Sequence, residues 1–303
     1  MADMTVSFAG LLFKNPVVTV SGTFGFGREY GELYDLSELG GICVKGLTLK
    51  PRLGNPPPRI AETPSGMLNS VGLQNPGVDA FIKNELPDLK RAGTRIIANI
   101  SGGSPEEYAL IAKKLSDAGV DMIEVNISCP NVKAGGLAFG TDCSAAAEVT
   151  AAVKRASDVP VMVKLSPNVT DVTAIARAVA DAGTDALSLI NTLIGMRINI
   201  ETRRPILANN TGGLSGPAVF PIAVRMVSQV RAAVDLPILG MGGISSGDDA
   251  VEMMLAGADL VGVGTACFAD PFAPLKIRDG IGEYLDRKNI SSVRELSGKV
   301  ILN

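Results

Sequence analysis

The chain has 303 residues, 46% hydrophobic and 19% charged, enough apolar material for one large core or two small ones. A net charge of −3 leaves no basic footprint for nucleic acid, and the absence of histidine removes a histidine general base. No apolar run nears the roughly 18 residues needed to span a bilayer, and "MADMTVSFAG" is no secretory leader, so a cytoplasmic protein is expected.

Short apolar, β-branched runs then recur along the chain, separated by stretches of helical periodicity. "VVTVSG" (17–22) and "ICVKGL" (42–47) come first, followed by a Pro- and Gly-rich insertion over 50–77. "IIANIS" (96–101) leads into a helix expected over 104–119, and "MIEVNIS" (122–128) precedes one expected over 144–157. "VMVKLS" (161–166) precedes a third expected helix over 171–183, and "ALSLIN" (186–191), "ILGMGGI" (238–244) and "LVGVGT" (260–265) complete the strands. Ser or Asp start signals and Gly stop signals punctuate several of the helices. Strand and helix alternating eight times predict an α/β fold, a closed (β/α)8 TIM barrel, with an open doubly wound sheet as runner-up. The chain reads as a single domain, 1–303, with long insertions at the C-terminal face, 50–77 among them.

Most of the runs change character at their C-terminal ends, where barrels of this kind build ligand sites. Ser21, Lys45, Asn99, Asn126, Lys164 and Asn191 close the first six, and Gly242–Gly243 and Gly264–Thr265 the last two. The two glycine-bearing ends fit a phosphate seat of backbone N–H groups. "GMGGIS" lacks the last glycine of a dinucleotide fingerprint and lies late in the chain, so a Rossmann reading is weak. Lys45 and Lys164 sit among apolar neighbours and call for an anionic partner. On residues alone, a flavin whose reduced ring carries negative charge and a Schiff-base lysine stand level.

"NISCPN" (126–131), "NSVGLQNPG" (69–77), "KGLT" (45–48), "GGLSGPA" (212–218) and "GMGGI" (240–244) resemble the class 1 dihydroorotate dehydrogenases over essentially the whole chain. "GGLAFGTD" (135–142) and "GMGGI" are most similar to the 1B branch, the catalytic subunit of the NAD-dependent enzyme. The resemblance implies one FMN per chain and oxidation of dihydroorotate to orotate in pyrimidine biosynthesis. It implies Cys129 as the base that takes the C5 proton while a hydride leaves C6 for flavin N5. Asn69, Asn126, Asn131 and Asn191 would bond the pyrimidine ring and its carboxylate, with Ser70, Val71, Gly72, Leu73 and Thr192 completing that pocket. Lys45 would serve both flavin and substrate, Lys164 would sit near flavin N1, and Ser21, Gly46, Asn99, Asn126 and Ile190 would line the flavin. Gly216, Gly242, Gly243, Gly264 and Thr265 would cradle its ribityl chain and phosphate.

A thiol suits that role because its pKa of about 8.5 lies far nearer neutrality than a serine hydroxyl. Pro130 holds Cys129 extended, and the glycines behind it suit a closing loop. Cys43 and Cys267 lie among apolar residues and read as core thiols, while Cys143 opens a helix. The chain carries no metal-ligand spacing, no cysteine cluster for an iron–sulfur centre and no credible dinucleotide site. The 1B resemblance therefore implies a partner subunit bearing FAD and a [2Fe–2S] cluster, two copies of each chain, and a homodimer of this one. A 1A-like enzyme using fumarate, and a related barrel that oxidises dihydropyrimidines, are the alternatives. A non-enzymatic barrel that only binds a phosphorylated ligand is the bland one.

Overall fold

A computed structural model of the chain describes residues 2–128 and 136–303. Eight parallel strands close on themselves: β1 (Val17–Thr19), β2 (Gly41–Cys43), β3 (Arg95–Ile100), β4 (Met122–Asn126), β5 (Val161–Lys164), β6 (Ala186–Leu189), β7 (Ile238–Met241) and β8 (Leu260–Val263). Each pairs with the next in the chain, and β8 returns to β1 through Val261 opposite Val17, so the (β/α)8 barrel has no open edge. Every residue of β5 to β8 is buried, because one face fills the barrel and the other meets the helices. The strands are shorter than the apolar runs that announced them. Their last residues leave the ladder to form the rim.

The three expected helices start within a residue of their expected first positions, the second of them at Cys143 behind an Asp142 cap instead of at Ser144. Ser104 Oγ accepts the Glu107 N–H ahead of Pro105–Asp117, whose buried stripe is Tyr108, Ile111, Ala112 and Leu115. Asp142 caps Cys143–Ala156 and Asp171 caps Val172–Asp181 in the same way, and Gly247–Ala256 opens with a Ser246–Asp249 capping box. None of the helices among the described residues is long and apolar enough to cross a membrane.

Two additions complete the barrel. Val6–Phe8 and Leu11–Phe13 form an antiparallel hairpin turned at Ala9 and Gly10, both at positive φ. Its Phe8 and Phe13 rings meet edge to face, and Arg95, the first residue of β3, reaches the Leu12 carbonyl, so the hairpin plugs the N-terminal end. At the other end, the insertion after β2 folds into Ile60–Thr63 and Gly66–Asn69. These join Gly212–Ser215 and Leu193–Gly195, from the excursion after β6, in one four-stranded antiparallel sheet that roofs the C-terminal mouth.

Candidate active site

Under that roof lies a cavity enclosing ≈ 1180 Å³ of empty space, its open mouth included. All eight strand ends contribute to it. Ser21 follows β1, Lys45 and Gly46 follow β2, Asn99 lies in β3, and Asn126 and Lys164 end β4 and β5. Ile190, Asn191 and Thr192 follow β6, Gly242 and Gly243 follow β7, and Gly264 and Thr265 follow β8. Asn69, Val71, Gly72, Leu73 and Gly216 reach in from the roof. Among the described candidates, Ser70 alone does not line the cavity. It is fully buried, its N–H bonds the Arg59 carbonyl, and Asn55 Nδ2 reaches both its carbonyl and its Oγ, at 3.0 and 3.1 Å. Cys129 and Asn131 lie outside the described residues.

Beneath the cavity, touching its lining residues Asn99 and Lys164, lies a charge that the sequence reading passed over. Glu124, in the middle of β4, is fully buried and faces the barrel interior two residues below Asn126. The strand register sets Asn99 beside Glu124 and Ser188 beside Lys164. Ser188 Oγ donates to Glu124 Oε1 at 2.7 Å, while Asn99 Nδ2 and Cys43 Sγ both donate to Oε2. Lys164, 4% exposed, places Nζ 3.9 Å from the same oxygen. Its ammonium is thus matched to a carboxylate, an arrangement for a fixed charge and not for a free amine nucleophile. The signal was one acidic residue inside the apolar run "MIEVN". Met67, Ser215 and Thr23 also line the cavity without having been singled out.

Asn99 Oδ1 is buried with no hydrogen-bond partner, and a side chain begun at Gly46 would start 2.8 Å from it. An acceptor left bare beside a cavity is satisfied by a donor on a ligand. At the rim, Gly242 and Gly243 have φ of 125° and 79°, conformations L side chains avoid. A Cβ at Gly243 would stand 2.8 Å from the Gly216 carbonyl oxygen, so only glycine lets these two loops close together. A buried cation, a bare acceptor and a glycine rim fit a flat polar ring bearing a phosphate.

A second polar cluster stands at the ends of β4 and β6. Asn191 Nδ2 donates to Ser128 Oγ at 2.6 Å and to Asn126 Oδ1 at 3.2 Å, and Asn191 Oδ1 accepts the Thr192 N–H at 2.7 Å. Tyr108 donates to the Asn126 carbonyl at 2.8 Å and fixes that strand end from behind. Asn168 braces the same segment, donating to the Thr192 carbonyl at 3.0 Å and accepting from the Ile194 N–H at 2.9 Å.

The described thiols divide as their surroundings dictate. Burial, with the Glu124 charge next, pushes Cys43 well above the ordinary thiol range, and burial pushes Cys267 up to about 12. Both are core residues; Cys143 is exposed in the first turn of its helix.

Comparison with known proteins gives a consistent answer. A family model described as dihydroorotate dehydrogenase matches residues 3–285. A protein of Geobacter sp. (strain M21), named dihydroorotate dehydrogenase B (NAD(+)), catalytic subunit, is 58% identical over 301 residues, covering 99% of both chains. Proteins of the same name from Alkaliphilus metalliredigens (strain QYMF) and Anoxybacillus flavithermus (strain DSM 21510 / WK1) are 56% and 54% identical. Those alignments cover 98% and 99% of this chain, and 99% and 96% of the relatives.

Proposed function

The chain belongs to the dihydroorotate dehydrogenase family, and from that premise we propose that it oxidises (S)-dihydroorotate to orotate as an NAD-linked catalytic subunit. The whole chain acts as one FMN-binding domain in the cytoplasm. The observation that carries the reading is one cavity lined by Lys164, by Asn99 with its bare oxygen, and by a glycine rim. Bound FMN would supply the acceptor for the hydride that leaves C6.

The chain's residues supply the rest. The Cys129 thiolate takes the proton from C5, so the C5–H and C6–H bonds break and a C5=C6 double bond forms. Asn69, Asn126, Asn131 and Asn191 hold the ring and carboxylate, with Thr192 and the backbone of Val71 to Leu73 beside them. Ser70 supports that stretch from behind rather than touching substrate, consistent with its bonds to Asn55 and Arg59. Lys164 would hold a fixed ammonium against the flavin, where it would stabilise negative charge on reduction. Lys45 serves the ring and the substrate together. Ser21, Gly46 and Ile190 would line the flavin, while Gly216, Gly242, Gly243, Gly264 and Thr265 would hold its ribityl chain and phosphate.

The electrons leave through a separate subunit that carries FAD and a [2Fe–2S] cluster, in an assembly of two copies of each chain built on a dimer of this one. Anaerobic spectra of the purified chain test the reading. A yellow protein that bleaches on addition of dihydroorotate is expected, with little NAD reduced until the partner is added. The Cys129→Ala variant keeps its flavin and binds orotate, yet bleaches slowly at neutral pH. A colourless protein indifferent to dihydroorotate would overturn the assignment, and full-speed NAD reduction by the chain alone would remove the partner.

A further inference from the structure

Nothing in the proton and hydride transfers requires Glu124, yet it is fully buried and accepts three side-chain hydrogen bonds inside the barrel. Three side-chain donors from three strands converge on it, Cys43 from β2, Asn99 from β3 and Ser188 from β6, with the Lys164 ammonium beside them. Burying a carboxylate is costly, and an apolar side chain of similar volume would fill the same space without that cost. The charge therefore needs a use at this depth.

Its bonds indicate one. A carboxylate only accepts, so the Asn99 carboxamide must turn its NH2 group to Glu124. The Asn99 oxygen is then left pointing away, and that atom is buried and unpartnered beside Gly46 at the cavity wall. The same carboxylate offsets part of the charge of Lys164, which lines the cavity next to it. One acid thus decides which face of an amide the cavity presents and how much positive charge stands beneath the ligand. The negative charge is also felt by Cys43, whose thiol is raised first by burial and then by Glu124.

We infer that Glu124 is a positioning residue for the cofactor: it orients Asn99 as an acceptor and moderates the Lys164 charge, and so sets the flavin's reduction potential. The inference rests on the reading of this cavity as an FMN seat. A reduced flavin carries more negative charge than an oxidised one. Removing the Glu124 charge strengthens the pull of Lys164 on the reduced form.

The test is the midpoint potential of FMN in the purified holoprotein, for wild type and for Glu124→Gln. Binding of reduced over oxidised flavin should rise about tenfold in Glu124→Gln, a positive shift of about 30 mV for a two-electron couple. Ser188→Ala removes one donor and keeps the charge, and should move the ratio less than twofold. If Glu124→Gln does not fold, Lys164→Met is compared with the Lys164→Met/Glu124→Gln double variant, where no ammonium is left to moderate and the second change should raise the ratio only about threefold, through Asn99 and the direct field of the carboxylate. A merely structural role would lower the unfolding temperature and leave the potential in place. A Glu124→Gln variant, or the double variant against Lys164→Met, that holds flavin with the ratio moved less than twofold overturns the role of Glu124 alone. A wild-type protein without flavin overturns the functional reading and this role with it.

Discussion

Replacing Lys164 by Met keeps a stem of the same length and deletes only the terminal ammonium, which isolates the value of the buried charge pair. Lys164 is 4% exposed and Glu124 fully buried, so solvent does little to screen the carboxylate left behind. Breaking a buried pair from one side costs about 3 to 5 kcal/mol. The 3.9 Å separation and the three remaining donors to Glu124 favour the lower end, about 3 kcal/mol. A chain of this length unfolds with an entropy of roughly 0.6 kcal/mol/K near its midpoint, so the transition should fall by about 5 °C. The assay is thermal unfolding of the flavin-free chain, which removes any contribution from cofactor binding. Adding Glu124→Gln to Lys164→Met should recover at least half of the loss, because no unmatched charge then remains. A single variant that melts within about 1 °C of wild type would refute the reasoning, as would a double variant no more stable than the single.

Three further outcomes are expected. Tyr108→Phe leaves the Asn126 carbonyl without its 2.8 Å donor and should cost about 1.5 kcal/mol in urea unfolding; an unchanged midpoint would show that the strand end is fixed otherwise. Gly243→Ala imposes a side chain at φ 79° and 2.8 Å from the Gly216 carbonyl oxygen, and should weaken FMN at least tenfold by fluorescence titration; wild-type affinity would remove the rim from the phosphate site. Cys267 is raised from an ordinary 9.0 to about 12, so the unfolded chain releases this proton at a lower pH than the native one. Its contribution is full below pH 9.0 and is lost as pH rises toward 12, by up to about 1.4 kcal/mol per unit. Cys267→Ala should flatten that alkaline decline in stability, and an identical slope would contradict it.

The barrel was legible because its signals are local. Apolar strand runs and the capping residues Ser104 and Asp171 each act within a few positions of themselves. The strand ends were equally legible, since a polar residue closing an apolar run stands out at once. Glu124 stood out less, because its meaning lies in partners 81, 25 and 64 positions away, and no window of sequence brings Cys43, Asn99 and Ser188 together. Ser70 shows a different limit: its neighbours identify a ligand-facing stretch, but which way one residue turns depends on Asn55 and Arg59. The roof sheet was hidden for both reasons. One of its two central strands, Gly212–Ser215, has too little side chain for a clear alternation, and its ladder joins Asn69 to Gly213.

That ladder ties together two stretches that connectivity alone would leave independent. Asn69 and Leu68 pair with Gly213 and Leu214, and Leu214 pairs in turn with Leu193. Shortening either excursion would strip its neighbour of a hydrogen-bonded flank and expose a sticky edge. The two segments are therefore yoked through descent: a lineage that remodels one must remodel the other, and a chimera built from two relatives should tolerate their exchange only as a pair.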